Sequence, residues 1–396
     1  MPQEQLKRAL DLIATLPSTP ELRREEIKLQ VELITPLLHV RGYAAPETRA
    51  AVERAHLLIE QSEALGEPPD DPLLLFSVLY GFWVANLVAF NGDVLLELRL
   101  MGLSLLHAGK IEEGRTHFDR AVELYDPAEH GRLAILFGQD IGAASLSWRA
   151  IAWWLLGYPE NALADARRAL ELTRDARHAP TLIYVLNFSF WTHIRCGAYT
   201  AAAALVDEYV PLQSQMSSTF WGAWGLMQRG CLAELAGQSA DAARLITSGV
   251  EAMRSTGSTM WTPLFLSYLA RANAHTGRLS EAWTNIDEAA KAIEMTKEDW
   301  HDAELNRVAG EIALMSPEPD AAKAEAYFAR ALVVARRQLA RSWELRAATS
   351  MARLFIAQGR RRPAREILAP VHSWFTQGFD TLDLRQAKSL LDELAP

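Results

Sequence analysis

The chain has 396 residues, 49% of them hydrophobic and 22% charged, with a formal net charge of −9. This composition describes a soluble globular protein able to bury a continuous core, and the acidic balance argues against nucleic-acid binding, which draws on a surplus of Lys and Arg. The two cysteines, Cys196 and Cys231, are too few for a disulfide framework or a thiolate metal site and read as buried thiols in a reducing compartment.

The opening Met1-Pro2-Gln3-Glu4-Gln5 lacks the basic and apolar regions of a secretory signal, so a cytoplasmic location is expected. A helix is predicted over 3–16, ending at Leu16-Pro17, and a hairpin over 21–41 and 47–65 joined by Gly42-Tyr43-Ala44-Ala45-Pro46. Glu67-Pro68-Pro69-Asp70-Asp71-Pro72 then punctuates the chain, closing an N-terminal section of hairpins over 1–70. The uncharged run from Leu73 to Phe90 has the 18 residues a membrane span minimally needs, but its acidic flanks (Asp70, Asp71, Asp93) and internal Asn86 favour a soluble helix and no membrane span. Gly92 and Gly109 lie only 17 residues apart, which leaves room for one helix where the rest of the array has two. An irregular region is therefore expected over 71–130, with a helix missing. An apolar helix without its cover marks an interaction surface, so 73–107 is predicted as a homodimer or partner interface.

Beyond this point the text repeats. Turn glycines are followed five residues later by a small residue at Gly109/Gly114, Gly157/Ala162, Gly197/Ala202, Gly237/Ala242, Gly277/Ala282 and Gly359/Ala364, and a unit near Asp320 keeps Ala324 without the glycine. The small residues at 114, 162, 202, 242, 282, 324 and 364 are separated by 48, 40, 40, 40, 42 and 40 positions, the signature of a solenoid. Glycine can end one helix in the left-handed conformation, and a small residue early in the next lets the two backbones approach. A larger side chain follows four residues on (Phe118, Ile246, Ile286, Phe328), then usually another small one (Ala121, Ala169, Gly249, Ala289, Ala331). This rhythm resembles the tetratricopeptide signature, with a period of about 40 rather than the usual 34, a length that also suits HEAT-like pairs. The predicted fold is all-α: a tetratricopeptide-like α-solenoid forming one right-handed superhelix. Its regular hairpins fall over 131–380, at about 132–156/160–175, 180–195/199–214, 218–236/239–255, 260–276/279–296, 298–315/320–338 and 341–358/361–375, and a helix at 381–394 within 381–396 caps the end.

Catalytic signatures are missing from this text. Gly109-Lys110 is followed by Ile111 and has no phosphate-cradling glycine before it, and no G-x-S-x-G, H-E-x-x-H or C-x-x-C occurs. Glu298-x-x-His301 with Glu304 places three potential ligands on one helical face; without a second such motif it reads as a solvated face rather than a metal site, so neither metal nor cofactor is expected. Trp148, Trp153, Trp154, Trp191, Trp221, Trp224 and Trp261 fall on predicted first helices, which line the concave face of such arrays. Most should pack between repeats, while any that reach the groove would anchor a peptide. The candidate protein-binding set is Trp191, Trp221, Trp224 and Trp261 with Asn187, Arg195, Arg229, Asn273 and Arg307. A second candidate is a basic patch, because ten arginines stand between Arg330 and Arg365 against the single acid Glu344. Arg360, Arg361 and Arg362 are its densest run, and such a segment either forms a solvated face or steers an acidic partner.

Several irregular stretches also resemble a known family. Ala9-Leu10-Asp11-Leu12-Ile13-Ala14-Thr15-Leu16-Pro17, Gly42-Tyr43-Ala44-Ala45-Pro46-Glu47, Leu124-Tyr125-Asp126-Pro127 with Gly138-Gln139-Asp140, Trp154-Leu155-Leu156-Gly157-Tyr158-Pro159, Glu344-Leu345-Arg346-Ala347-Ala348-Thr349-Ser350 and Trp374-Phe375-Thr376-Gln377-Gly378-Phe379-Asp380 resemble the C-terminal tetratricopeptide region of large bacterial adenylate/guanylate cyclases. In that family a class III cyclase domain and a P-loop ATPase domain precede the repeats. The resemblance covers nearly the whole chain but carries over no catalytic residue, because the cyclase aspartates and the phosphate loop belong to those other domains. It implies a non-enzymatic module in cyclase-linked signalling that binds a peptide or partner domain in its groove. The alternative is a sensor that takes a small ligand and acts on a separate cyclase or ATPase.

Overall fold

Helices and one 3-10 turn make up all the regular structure in the computed structural model, which describes residues 2–17, 19–42, 45–65, 101–131, 134–135, 138–176 and 178–395. The N-terminal section holds α1 (Pro2–Ile13), α2 (Pro20–Val40) and α3 (Pro46–Ala64). After it come α4 (Met101–His107), α5 (Ile111–Leu124) and the single-turn α6 (Pro127–His130). Six hairpins follow: α7 (Ile141–Leu155) with α8 (Pro159–Ala176), α9 (Ala179–Arg195) with α10 (Tyr199–Met216), and α11 (Thr219–Leu235) with α12 (Ser239–Ser255). The other three are α13 (Thr262–His275) with α14 (Leu279–Thr296), α15 (Asp302–Leu314) with α16 (Ala321–Arg337), and α17 (Arg341–Ala357) with α18 (Arg361–Trp374). The chain ends in α19 (Leu382–Glu393). The fold is an all-α tetratricopeptide-like solenoid.

The repeat grammar has a direct physical reading. Gly109, Gly157, Gly197, Gly237, Gly277 and Gly359 all take positive φ, between +75° and +93°, ending the first helix of their hairpin. The unit without glycine turns instead at Asp320, whose carboxylate accepts a bond from the Lys323 amide and caps α16. Ala162, Ala202, Ala242, Ala282, Ala324 and Ala364 have no exposed surface at all, because there the second helix lies flush on the first. In the α4/α5 pair Gly114 does the same work: a Cβ on it would fall 2.6 Å from the carbonyl oxygen of Gly102.

Residues 66–100 lie outside the described residues, so the apolar helix predicted over 73–90, and with it most of the interface predicted over 73–107, is not among them. The part that is described, α4, faces inward. Leu103, Leu106 and His107 are buried, and the His107 Nε2 accepts from the Trp261 indole at 3.0 Å. These three side chains offer no surface to a second copy.

The array makes one turn and then stacks upon itself. Trp154 at the end of α7 meets Trp343 of α17 with ring centroids 4.7 Å apart, and the Trp154 carbonyl accepts from the Ser342 hydroxyl. Tyr158 packs on Trp374, the amides of Glu160 and Asn161 donate to the Gln377 side-chain oxygen at 3.0 and 3.2 Å, and the Gly378 amide donates to Glu160 at 2.8 Å. The turn glycines record where the second layer sits. A Cβ on Gly109 would meet Gln338, one on Gly157 would meet Trp374 and Arg341, and one on Gly197 would meet Leu382, whereas Gly237, Gly277 and Gly359 face open space.

A pair of substitutions tests this arrangement. Alanine at either Gly157 or Gly359 must hold a left-handed conformation, at a cost of about 1–2 kcal/mol. Only at Gly157 does the new methyl collide with the second layer, 2.6 Å from Trp374 and 2.9 Å from the Arg341 Cβ. Overpacking of that kind adds about 1–3 kcal/mol. Urea unfolding should therefore place Gly157→Ala clearly below Gly359→Ala, and equal midpoints would show that the layers do not touch.

Candidate functional site

Because the turn is tight, the inner helices α7, α9, α11, α13, α15 and α17 press their large side chains together on the superhelix axis. Trp191, Trp221, Trp224, Trp261 and Trp300 are buried, and the Trp261 ring lies 5.2 Å from Trp191, 5.3 Å from Trp224, 5.9 Å from Trp148 and 5.0 Å from Trp300. The axis that an open array would leave as a groove is thus an aromatic core. This corrects the groove assignment of Trp191, Trp221, Trp224 and Trp261: Trp221, Trp224 and Trp261 line no pocket among the described residues, and Trp191 borders only a cavity of about 10 Å³.

The polar candidates separate likewise. Asn187 is buried and its side-chain oxygen accepts from Gln228 at 2.8 Å, while Asn273 is buried and donates to Asn285 at 2.8 Å. Arg229 is exposed over a shallow depression with Asp207 and Asp241, away from the axis. Of the polar groove candidates, Arg307 lines the axial pocket and Arg195 borders the small cavity behind it. Two of the basic run's arginines are paired: Arg360 with Glu325 of α16 at 2.9 Å and Arg362 with Glu366 of its own helix at 2.7 Å, while Arg361 donates to the Glu393 backbone carbonyl. Sequence counting between Arg330 and Arg365 saw neither Glu325 nor Glu366.

Glu298, His301 and Glu304 are buried rather than a solvated face, and each has its own task. The Glu298 carboxyl oxygens accept from the Trp261 amide at 3.0 Å and the Trp300 indole at 2.9 Å, holding Trp261 in a left-handed conformation (φ +62°). His301 Nε2 lies 3.1 Å from the Ser267 hydroxyl. Glu304 grips Arg307 through both oxygens, at 2.7 and 2.8 Å.

Glu304 leads to the pocket. At the open end of the axis a depression of about 240 Å³ is lined by Tyr199, Tyr268, Arg271, Arg307, Glu311, Arg346, Ser350 and Arg353 from the inner side and by Asp383 and Gln386 from α19. Arg346 is its hub, pairing with Asp383 at 2.8 Å and Glu304 at 3.3 Å and donating to the Arg195 carbonyl at 3.2 Å. Arg307 also pairs with Glu311. Burial alone would raise the Glu304 carboxyl, but Arg307 and Arg346 outweigh it and hold it at about 2. Behind this pocket a cavity of about 10 Å³ is lined by Trp191, Arg195, Ser267, His301, Glu304 and Trp343, among others. Sequence reasoning counted Arg346 and Arg353 only as part of the basic segment and overlooked Arg271 and Asp383. One signal was present: Arg271 and Arg353 each stand six residues before a turn glycine, Gly277 and Gly359, and so share a helix face.

The buried titratable groups make stability depend on pH. Burial pushes His39 and His107 down to about 4 and His301 to about 3. His107 cannot take a second proton without turning an N–H toward the Trp261 indole N–H. Unfolded histidines accept protons near 6.5, so stability falls as pH drops from about 6.5 to 4. Burial raises Glu298 to about 8, and its folded form therefore takes a proton first; that contribution grows as pH falls from 8 to 4.5. Melting temperature should rise slightly from pH 8 to 6.5 and then drop, with His107→Gln flattening the acid limb. An unchanged limb in that variant would show that His107 does not titrate on unfolding.

No family model matches the chain, and no curated protein matches it in sequence. Solved structures match it in fold. A Rap protein complexed with competence and sporulation factor aligns over 94% of this chain and 100% of its own at 13% identity, with a TM-score of 0.57. Yeast Tom70 aligns over 98% and 93% at 14% identity (TM-score 0.42). A signal transduction ATPase with numerous domains and a tetratricopeptide repeat sensor, from Pyrococcus horikoshii, aligns over 99% of this chain and 54% of its own at 13% identity (TM-score 0.39).

Proposed function

We propose that this chain is a non-enzymatic interaction module that regulates a partner by receiving a short peptide segment, or a projecting loop of a partner domain, in the pocket at the open end of its axis. The observation that carries this reading is convergence: α9, α10, α11, α13, α15, α17 and α19 all contribute to one polar depression, so one occupant can bridge several hairpins and the C-terminal helix. A solenoid of this fold is found complexed with competence and sporulation factor in the Rap structure. The resemblance to the repeat region of adenylate/guanylate cyclases extends the proposal to cyclase-linked signalling in the cytoplasm. Filling of the axis by tryptophan confines the occupant to a short segment. The second reading is a small-ligand sensor acting on a separate cyclase or ATPase, with the cluster of arginines and acids in the same pocket as its site.

Selection of displayed short peptides against the full chain tests the module. Gln386 is exposed on α19 at the pocket wall, so Gln386→Trp obstructs the mouth without entering the core. Selected peptides should bind the native chain and lose about tenfold or more, ~1.4 kcal/mol, against an equally stable Gln386→Trp. Failure to select any peptide, or binding indifferent to the obstruction, overturns the reading.

A further inference from the structure

We infer that the pocket is an oxyanion site whose inner anchor is Arg195, taking a ligand that presents a carboxylate or phosphate group; this rests on the binding-module reading above and names the chemistry of its ligand. Arg195, at the end of α9, is 4% exposed. Its guanidinium sits among Trp300, Trp261, Trp191 and Trp154, at 5.0, 5.2, 5.7 and 5.8 Å from their ring centroids. Such a cage offsets part of the buried charge, since the ring faces are electron-rich. It cannot satisfy the guanidinium N–H groups, because an indole offers a donor and no acceptor. Both Nη atoms of Arg195 are buried without a hydrogen-bond partner among the described residues. Burial pulls this guanidinium down to about 9, with Arg346 adding to the effect, which still leaves it charged at neutral pH.

The neighbouring ion pairs show that the deficit is local. Arg307 has Glu304 and Glu311, Arg346 has Glu304 and Asp383, and Arg271 has Glu234 at 3.8 Å. Arg195 and Arg353 form no ion pair among the described residues; Arg353, exposed on α17, reaches only the Gln386 amide oxygen at 3.0 Å. One unpaired guanidinium therefore lies at the back of the site and another at its mouth. The 10 Å³ cavity beside Arg195 has room for about one oxygen atom, and it shares Ile194, Tyr268, Arg271 and Arg346 with the wall of the larger pocket. An oxyanion seated across the two places one oxygen as a charged acceptor beside the Nη donors, while its remaining oxygens face the larger pocket. The rest of the ligand then lies between Arg271, Arg346 and Arg353.

Four indoles around the anchor make tryptophan fluorescence the natural readout. The full chain is titrated with inorganic phosphate, glutarate and the peptide acetyl-Glu-Glu-Asp, and with glutaramide and the amidated acetyl-Gln-Gln-Asn as uncharged controls. At least one of the three anions should bind, whichever arm identifies the source of the oxyanion, and the controls should not. Arg195→Met keeps an apolar side chain of similar length in the cage; binding should weaken about tenfold or more while the melting temperature of the free chain holds or rises, since a buried unpaired charge has been removed. Arg353→Met, at the exposed rim, should weaken binding about fivefold and leave folding untouched. The inference is overturned if no anion binds, if the uncharged controls bind as well, or if affinity survives both substitutions. Peptides selected without acidic residues, and bound normally by Arg195→Met, would leave the module standing and remove the oxyanion site. Selection of no peptide at all would remove the module itself.

Discussion

Trp261→Ala is expected to destabilise the chain by about 3–5 kcal/mol, the range for deleting a large buried aromatic. The indole has no exposed surface and touches rings from three hairpins, with Phe188 at 5.8 Å and Trp148 at 5.9 Å marking how far around the axis it reaches. Its Nε1–H donates to His107, so truncation also removes that partner from a buried imidazole. Alanine inherits the left-handed backbone (φ +62°) without the packing that holds it. No collapse of neighbours can readily refill the gap, because the surrounding rings are fixed from separate helices. Equilibrium urea unfolding measures the loss. A change below about 1 kcal/mol would show that the axis is loosely packed and the groove open after all.

Glu304→Gln should cost a comparable amount, about 3–5 kcal/mol, for a different reason. The substitution preserves shape but removes the charge that Arg307 holds through two bonds and Arg346 through a third. All three groups are largely withdrawn from water, so the two guanidiniums retain only Glu311 and Asp383. The folded Glu304 carboxyl titrates near 2, against about 4.5 when unfolded, which means its contribution is complete above 4.5 and fades as pH falls through 2. The gap between native chain and variant should be full at pH 7 and close in strong acid. Pairing Glu304→Gln with Arg307→Met should restore part of the loss, since a buried pair replaced on both sides is far less costly than one left half-made. Strict additivity of the two changes would refute the coupling.

Much of this architecture was legible in the chain. The spacing from Gly157 to Ala162 and Ala169 describes a contact between adjacent helices, and contacts that recur every 40 residues leave a period in the text. The pocket left only the matched placement of Arg271 and Arg353 before their turn glycines. Its walls join Arg195 to Arg346 and Asp383, and the relation between those positions depends on the pitch of the superhelix, which no single hairpin encodes. The tryptophans show the same boundary. Their placement on the inner helices follows from the repeat; whether an inner face meets solvent or another inner face depends on how tightly the turn closes. Arg360 to Arg362 show a related limit, since charge counted along the chain leaves out Glu325, one helix pair away in space.

Self-stacking also sets a schedule for biosynthesis. Trp154 acquires its cover from Ser342 and Trp343, and the Ser342 contact spans 188 residues of chain. At ribosomal rates of 5–20 residues per second, the covering hairpin emerges roughly 10–40 s after the surface it must cover. Throughout that interval the nascent chain displays an incomplete aromatic axis, with the indoles of α7 and α9 waiting for partners not yet made. The tight closure that stabilises the finished protein thus makes the unfinished one a client for whatever shields apolar surface at the ribosome exit, and ties the risk of aggregation to translation speed.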